Sequence, residues 1–190
     1  MIIIETERLL LREWCDDDRA PFAAMSVDPL VMEFLRAMPT RAACDQWIDY
    51  QVAHQAKHGF CLWAIEVRAT GTFVGPVGLL RVNFDAPFTP AVEIGWRLAR
   101  AAWRQGIATE AAQAALAFGF GRLGLDEIVA YAAAANQASQ NVMRKLGMVR
   151  DEASDFDHPR LAPDSPLRRQ VFYRIARAEY APARATSPVA

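Results

Sequence analysis

The sequence predicts one mixed α/β (α+β) domain, in which helices cover both faces of a single sheet. Segments typical of strands and of helices follow one another in the order strand, helices, antiparallel strands, strand–helix–strand–helix and two last strands. The chain of 190 residues has the length of one ordinary domain and shows no internal repeat or linker. We therefore expect a single domain over residues 1–180 and a disordered tail over residues 181–190.

The N-terminal third is predicted to contain one strand and three helices. Residues 2–12 are rich in β-branched residues and leucine, which favours a strand. Helices are expected to begin at the acidic residues 16–18, at the Asp28–Pro29 pair and at Thr40, a residue type that caps helices well. Gly59 is expected to end the third helix.

Three strands are predicted in the middle of the chain. Phe60–Val67 and Phe73–Val82 are expected to form an antiparallel pair around a turn at Thr70–Gly71. Pro76 has no N–H to donate within the second of these strands, which indicates a bulge or an edge position. After a loop that contains two prolines, Ala91–Leu98 is the next predicted strand.

Helices alternate with strands in the last third of the chain. An alanine-rich helix is predicted at about Gly106–Leu123, and a strand follows at Glu127–Ala133. A second helix is predicted at Asn136–Leu146, because its first residue is a good N-cap. The last two strands are expected at Val149–Phe156 and Arg168–Ile175.

Composition and charge exclude several classes of protein. Lys and Arg number 21 and Asp and Glu number 22, so the net charge of -1 argues against nucleic acid as a partner. No apolar run reaches the roughly 18 residues that span a bilayer. Residues 1–5 lack the basic start of a signal peptide. We therefore expect a cytoplasmic protein with neither a nucleic-acid nor a membrane partner.

The cysteines and histidines do not indicate a metal site. Cys15, Cys44 and Cys61 are widely spaced and form no C-x-x-C pair. His54 and His58 are four residues apart, but no glutamate stands between them as in H-E-x-x-H. We expect this histidine pair on a solvated helix face, and no metal cofactor.

Residues 91–112 carry the most chemical information. They form a predicted strand, a short loop and a helix start, where unpaired N–H groups and the helix dipole favour an anion. Gly106 allows close approach of the backbone, and Thr109 adds a hydroxyl. Positive charge can come from Arg97, Arg100 and Arg104. These residues suit a phosphate or pyrophosphate, but an ordinary helix start with exposed arginines would have the same sequence.

The segment Trp103–Ala108 resembles the Q/R-x-x-G-x-G/A signature of the GNAT superfamily of N-acetyltransferases. Its first position is Trp103, as in the branch of ribosomal-protein N-terminal (alanine/serine) acetyltransferases, whose version reads W-G-x-G-x-A-T-E-A. Further segments that resemble this branch are Glu5–Arg12, Asp28–Pro29, Trp63–Glu66, Val77–Leu79, Glu93–Trp96, Asn136–Ser139, Lys145–Met148, His158–Pro159 and Tyr173. The resemblance covers about residues 5–180. It implies a GNAT-like mixed, mostly antiparallel central sheet, splayed at its middle, with acetyl-CoA bound in the splay.

The resemblance also implies which residues bind the cofactor. The backbone of Trp96, Arg97 and Leu98 would pair with the pantetheine arm like an added strand. The pyrophosphate would be held by Arg104, Gln105, Gly106, Ile107, Ala108 and Thr109. Asn136 would hydrogen-bond the pantetheine, although the role of helix N-cap explains that residue equally well. Asn141 and Arg144 would lie towards the nucleotide end.

Two catalytic residues follow from the resemblance. Glu93 matches the general base of the branch, and a base is needed because an amine of pKa about 8–10 is mostly protonated at neutral pH. An exposed strand glutamate would fit the same pattern. Many GNAT enzymes protonate the leaving thiolate with a tyrosine, but the matching position here is Met143, which cannot donate a proton. The branch uses a serine that matches Ser139, a residue that a helix start would also accommodate.

The expected function is therefore transfer of acetyl from acetyl-CoA to a primary amine by direct attack. The acceptor can be a protein N-terminus or a small molecule, and the protein a monomer or a homodimer. Transfer of a longer acyl group, or a CoA-binding regulatory module with weak catalysis, remain alternatives. The candidate acceptor-pocket residues are Trp14, Phe34, Trp63, Asp155, Asp157, His158 and Tyr173.

Overall fold

The computed structural model describes residues 1–38 and 40–180. The strands are β1 (Ile2–Glu5), β2 (Leu9–Arg12), β3 (Leu62–Val67), β4 (Thr72–Arg81), β5 (Val92–Trp96), β6 (Glu127–Ala133), β7 (Val149–Arg150), β8 (Phe156–Asp157) and β9 (Arg169–Ala176). The helices are α1 (Arg19–Met25), α2 (Pro29–Met32), α3 (Arg41–His58), α4 (Ile107–Gly121) and α5 (Gln137–Lys145). The tail predicted for residues 181–190 lies outside the described residues, and the predicted domain extent of 1–180 stays a prediction.

The strands form one sheet that opens at its centre. Its order is β1-β2-β3-β4-β5-β6-β9-β7, with β8 paired to β9. All neighbouring strands are antiparallel except β5 and β6, which are parallel and pair only at Glu93 and Val129. The predicted fold class, a mixed and mostly antiparallel sheet splayed at its middle with helices on both faces, is confirmed.

Helices pack on the sheet and on each other through close contacts. At Gly119 of α4, a Cβ atom would lie 2.7 Å from Ile128 and 3.0 Å from Leu79, so the helix lies close to β4 and β6 because glycine stands there. On α1 and α3, the rings of Phe22 and Trp47 stack with centroids 4.7 Å apart. None of the helices in the described part of the chain is long and apolar enough to cross a membrane.

Two of the predicted strands are broken in the structure. The first, over residues 2–12, is a hairpin, because the Thr6 N–H donates to the Leu9 carbonyl at 2.9 Å and the Thr6 hydroxyl oxygen accepts the Leu9 N–H at 3.0 Å. Val149–Phe156 is divided into β7, a short 3₁₀ turn and β8. There Asp155 accepts a hydrogen bond from the Phe172 N–H at 2.9 Å. Polar side chains that bond to nearby backbone end the ladder at both places.

The prediction for Pro76 is partly wrong. β4 is an interior strand, not an edge, and Pro76 stands opposite Ala64 of β3. The irregularity lies two residues earlier, where Gly75 pairs with Ile65 and Phe73 with Glu66, so that Val74 is the extra residue of a bulge.

The prediction of a solvated helix face is wrong for His54. Its ring is buried, with Nδ1 bonded to the Phe60 carbonyl at 2.6 Å and Nε2 accepting the Arg81 N–H at 3.2 Å. Burial lowers the pKa of His54, and the neutral ring joins the end of α3 to β4.

Candidate active site

A cavity of about 370 Å³ lies at the splay between β5 and β6. Its other walls come from the segment after α2, from Trp47 of α3, from the start of α5 and from the loop before β9. Of the residues predicted for the site, those that line it are Glu93, Trp96, Arg97, Asn136, Ser139, Phe34 and His158. The structure therefore brings the two predicted catalytic residues into one cavity.

Glu93 stands where β5 and β6 touch. Its carboxyl group lies in the cavity, and burial raises its pKa to about 7, while interactions with Tyr131 and Arg160 oppose that rise. At neutral pH the group thus exists in both protonation states, as a general base requires.

Asn136 and Ser139 begin α5 beside Glu93. The Oδ1 atom of Asn136 accepts the Ser139 N–H at 3.0 Å, so the predicted N-cap is present. The cap uses only the oxygen of the amide and leaves the Nδ2 donors for a ligand. One turn further on, the buried Met143 also lines the cavity.

The end of β5 has backbone groups that face away from β4. The N–H groups of Arg97 and Ala99 donate to β4 carbonyls, each at 2.9 Å. Because backbone groups alternate along a strand, those of Trp96 and Leu98 point to the other side, into the splay. The Leu98 carbonyl accepts the indole N–H of Trp103 at 2.8 Å. The backbone groups still available in the splay are then the Leu98 N–H and the N–H and carbonyl of Trp96.

The predicted anion cradle lies at the start of α4. Gly106 adopts a left-handed conformation with φ of 79°, preceded by Arg104 with φ of 60°. The first N–H that bonds within the helix is that of Glu110, to the Gly106 carbonyl at 3.0 Å. The N–H groups of Ile107, Ala108 and Thr109 precede this bond, and no side chain caps the helix.

Arg8 and Glu110 flank the cradle and were not predicted as site residues. Arg8 donates to Glu110 at 2.6 Å and to the Gln105 carbonyl at 2.9 Å, and Thr6 donates to Glu110 at 2.6 Å. The ion pair fixes the turn and places a guanidinium 3.4 Å from where a Gly106 Cβ would be. No local sequence pattern connects residue 8 with residue 110.

Tyr131 is another site residue that the sequence did not indicate. It lies on β6, lines the cavity and interacts through its hydroxyl with Glu93. Its ring packs edge-on against Phe156 at 5.3 Å, and Phe84 and His158 pack at 4.7 Å. These rings give the cavity an aromatic wall near Glu93. Tyr131 meets Glu93 because β6 lies beside β5 in the sheet.

Asn141 and Arg144, predicted to lie towards the nucleotide end, are not part of the cavity lining. They are exposed on α5, where the Arg144 guanidinium donates to the side-chain Oδ1 atom of Asn141 at 2.5 Å. Their polar groups are thus partly engaged with each other.

Two predicted pocket tryptophans are core residues. Trp63 is fully buried and donates to Gln55 at 3.0 Å. Trp14 is buried too and donates to the Leu62 carbonyl at 2.7 Å. Both rings fill space under the sheet because large apolar side chains gain most by leaving water.

The three remaining pocket residues also lie outside the cavity lining. Asp155 forms an ion pair with Arg150, and the exposed Asp157 pairs with Arg168 at 3.4 Å. Tyr173 is buried and donates to Gln140 at 3.4 Å. In the described part of the chain, no group of three or more His, Cys, Asp or Glu side chains could hold a metal ion.

Comparison with solved structures agrees with this geometry. A GNAT-family acetyltransferase from Bacillus anthracis has a TM-score of 0.76 at 24% identity, over 94% of this chain and 100% of that one. RimL, a ribosomal L7/L12 alpha-N-protein acetyltransferase in complex with coenzyme A, has a TM-score of 0.75 at 16% identity, over 93% and 98% of the two chains. At these identities the likeness shows a shared fold.

Comparison with known sequences identifies the family. The uncharacterized N-acetyltransferase YoaA of Bacillus subtilis (strain 168) is 30% identical over 154 residues, which cover 78% of this chain and 84% of YoaA. The family profile described as acetyltransferase (GNAT) domain matches residues 8–149. The chain therefore belongs to the GNAT family of acetyltransferases, as the sequence predicted.

Proposed function

We propose that this enzyme transfers acetyl from acetyl-CoA to a primary amine by direct attack, with Glu93 as the general base. The observation that carries the proposal is the position of Glu93 at the single contact between β5 and β6, inside the cavity. A carboxyl group with its pKa raised to about 7 by burial suits proton removal from an ammonium group.

The residues around the splay fit acetyl-CoA, which supplies a thioester carbonyl that an amine can attack. The free backbone groups of Trp96 and Leu98 suit the amides of a pantetheine arm, as an added strand would. The Nδ2 group of Asn136 offers a further donor. The unpaired N–H groups at the start of α4 suit a pyrophosphate, and the Arg8–Glu110 ion pair holds the turn that presents them.

Side chains of this protein then remove and donate the protons of the reaction. The Glu93 carboxylate takes a proton from the acceptor, directly or through a water molecule, so that the neutral amine attacks. The Ser139 hydroxyl lies in the first turn of α5, where the helix dipole favours negative charge, and would donate a hydrogen bond to the leaving sulfur. The buried Met143 has no proton to donate.

A panel of amines tests the proposal. The purified protein is incubated with acetyl-CoA and with amino acids, polyamines, alkylamines and N-terminal peptides, and thiol release is measured together with the mass of each acceptor. We expect acceptor-dependent thiol release matched by an acetylated amine. Thiol release that yields no acetylated amine with every acceptor in the panel would refute amine transfer.

The same assay separates the alternatives. A CoA-binding module would bind acetyl-CoA in calorimetry without acceptor-dependent release. A transferase of longer acyl groups would turn over butyryl- or hexanoyl-CoA faster than acetyl-CoA with the same amine. RimL acts on a protein N-terminus, which makes N-terminal peptides the first acceptors to try.

A further inference from the structure

The side chain of Arg97 is a half-buried cation in the cavity, with no anionic partner among the residues that the structure describes. It lines the cavity from the end of β5, and its guanidinium lies 5.3 Å from the ring centre of Phe22 and 5.2 Å from that of Trp47. Within residues 1–38 and 40–180, the sulfur of Met38 is the one hydrogen-bond partner of Nη1, at 3.2 Å. Among the residues the structure describes, its buried Nε atom has no hydrogen-bond partner.

An arrangement of this kind is costly unless a ligand completes it. A guanidinium that leaves water without a paired anion loses hydration that neutral neighbours do not replace. Burial lowers the pKa of Arg97 to about 10, so the group is still charged at neutral pH. Stacking on two aromatic rings recovers part of the cost, but it satisfies none of the N–H donors.

Arg97 and Glu93 lie on the same face of β5. Side chains alternate along a strand, so Glu93, Gly95 and Arg97 face the same way. Gly95 leaves the space between the two charges open, and the nearest atom to a Cβ there would be a methyl carbon of Leu62 at 3.5 Å. Four residues of strand separate the two Cα atoms by about 13 Å. The cavity thus has a proton acceptor at one end, an apolar middle and a cation at the other end.

The remaining charges of the cavity have the same sign as Arg97. Arg36 and Arg160 line it, and Glu93 is the one acidic residue among its described lining residues. A polyamine would bring additional positive charge into this set, which costs free energy through repulsion. A negative group on the acceptor removes that repulsion.

We propose that the acceptor is a primary amine that carries a carboxylate several bonds from its amino group, and that Arg97 binds this carboxylate. The inference rests on the proposed function and names its substrate class. The amino group lies at Glu93, the apolar spacer crosses Gly95, and the carboxylate pairs with the guanidinium.

A chain-length series tests this substrate class. ω-Amino acids from glycine to aminooctanoate are compared with alkylamines and diamines of the same length. We expect kcat/KM for the longer amino acids to exceed that of the matched alkylamine by about 10- to 100-fold, the effect of a charged hydrogen bond. Glycine should show no such preference, because its carboxylate does not reach Arg97. Amidated peptides with Asp or Asn at the second or third position show whether a peptide N-terminus supplies the same chemistry.

Variants assign the preference to the Arg97 side chain. Arg97→Met keeps the length and the apolar stem and removes the charge, and Arg97→Gln is the second variant if the first does not fold. Either variant should bring the ratio of kcat/KM for the amino acid to kcat/KM for the matched alkylamine towards one. Arg122→Met is the matched control, because Arg122 also lies over an aromatic ring, 5.7 Å from that of Phe118, but outside the cavity. A ratio near one in the wild type, or an unchanged ratio in Arg97→Met, would overturn the proposal.

Equilibrium binding separates this inference from the proposed function. Calorimetry of aminooctanoate and octylamine with the CoA-saturated protein needs no turnover. Tighter binding of the amino acid, lost in Arg97→Met, supports the inference even if no amine is acetylated. The absence of acetylation would contradict the proposed function alone. Equal binding of the two compounds overturns the inference and leaves the proposed function standing.

Discussion

In the proposed mechanism, a single carboxyl group, Glu93, sets the pH range in which the enzyme acts. Its pKa of about 7 predicts that kcat/KM rises with pH through this value, as the carboxylate forms. Glu93→Gln keeps the shape and loses the base, so turnover should fall by roughly 10²–10⁴ and the rising limb should disappear. The measurement is the pH profile of both proteins, with Glu152→Gln as an exposed control. Wild-type turnover in Glu93→Gln would rule the role out.

The same shift makes Glu93 a source of instability at higher pH. The folded protein binds the Glu93 proton more tightly than the unfolded chain, whose pKa is near 4.5. As the pH rises from 4.5 to about 7, ionisation of Glu93 therefore lowers the free energy of unfolding. The melting temperature of the wild type should fall relative to that of Glu93→Gln across this range.

Tyr131 should tune the base. Its interaction with Glu93 lowers the carboxyl pKa against the larger effect of burial. Tyr131→Phe removes the hydroxyl, so the pKa of Glu93 should rise and the rising limb of kcat/KM should move to higher pH. A variant with a lower rate but an unmoved limb would show that Tyr131 acts only by packing.

Ser139 should contribute one hydrogen bond to the leaving group. Ser139→Ala is expected to reduce turnover by roughly 10–10³-fold, the effect of one lost hydrogen-bond donor. The helix cap should survive, because the backbone N–H of residue 139, which alanine keeps, donates to the side-chain oxygen of Asn136. Single-turnover acetyl transfer with a good acceptor measures the reduction in turnover, and Met143→Tyr in the same background should restore part of the rate. An unchanged rate in a folded, saturated Ser139→Ala protein would leave solvent as the proton source.

Among the elements, the turn before α4 offers a controlled test of cofactor binding. Gly106 and Gly71 both have positive φ, 79° and 65°, so alanine strains the backbone alike at each. A Cβ at Gly71 meets nothing within 4 Å, whereas at Gly106 it stands in the cradle beside Arg8. Gly106→Ala should weaken acetyl-CoA binding by about 10-fold or more in calorimetry, the effect of one charged hydrogen bond. Gly71→Ala should lose only stability, and equal affinity in both variants would contradict the cradle.

Element boundaries are predictable where the signal is local. Asp28 accepts the Leu30 N–H at 3.0 Å and Thr40 accepts the Ala43 N–H at 3.1 Å, so the predicted caps begin α2 and α3. A cap depends on residues two or three positions away, which one sequence shows directly. The hairpin at Thr6 was missed because a single hydroxyl, not a pattern, divides the two strands.

The site was predictable only in part, for a physical reason. Glu93 and Ser139 were predicted from the family resemblance, but other residues of the candidate site lie far along the chain from them. Arg8 contacts Glu110 across 102 residues, and Tyr131 meets Glu93 only because β6 lies beside β5. Trp14 and Trp63 were placed in the pocket because composition does not distinguish a core tryptophan from one that lines a cavity.

At the scale of the whole molecule, the cofactor should join two halves of the sheet. Strands β1–β5 and strands β6–β9 meet in one residue pair, Glu93 and Val129. Acetyl-CoA at about 100 times its Kd should stabilise the fold by about 2.7 kcal/mol and raise Tm by about 5–10 °C. Amide hydrogen exchange should slow along both β5 and β6, with Gly106→Ala at the same concentration as the control. Protection confined to the first turn of α4 would contradict an added strand.

Because Glu93 and Val129 are the single residue pair that joins β5 to β6, the opening between these strands also affects how readily the protein is cleaved by proteases. Two facing strand borders with unsatisfied backbone are the kind of template to which proteases and other extended chains attach. In the proposed complex, a bound pantetheine arm would cover both borders at once. Acetyl-CoA should then slow cleavage of the purified protein by an added protease, because the open borders are hidden while it is bound.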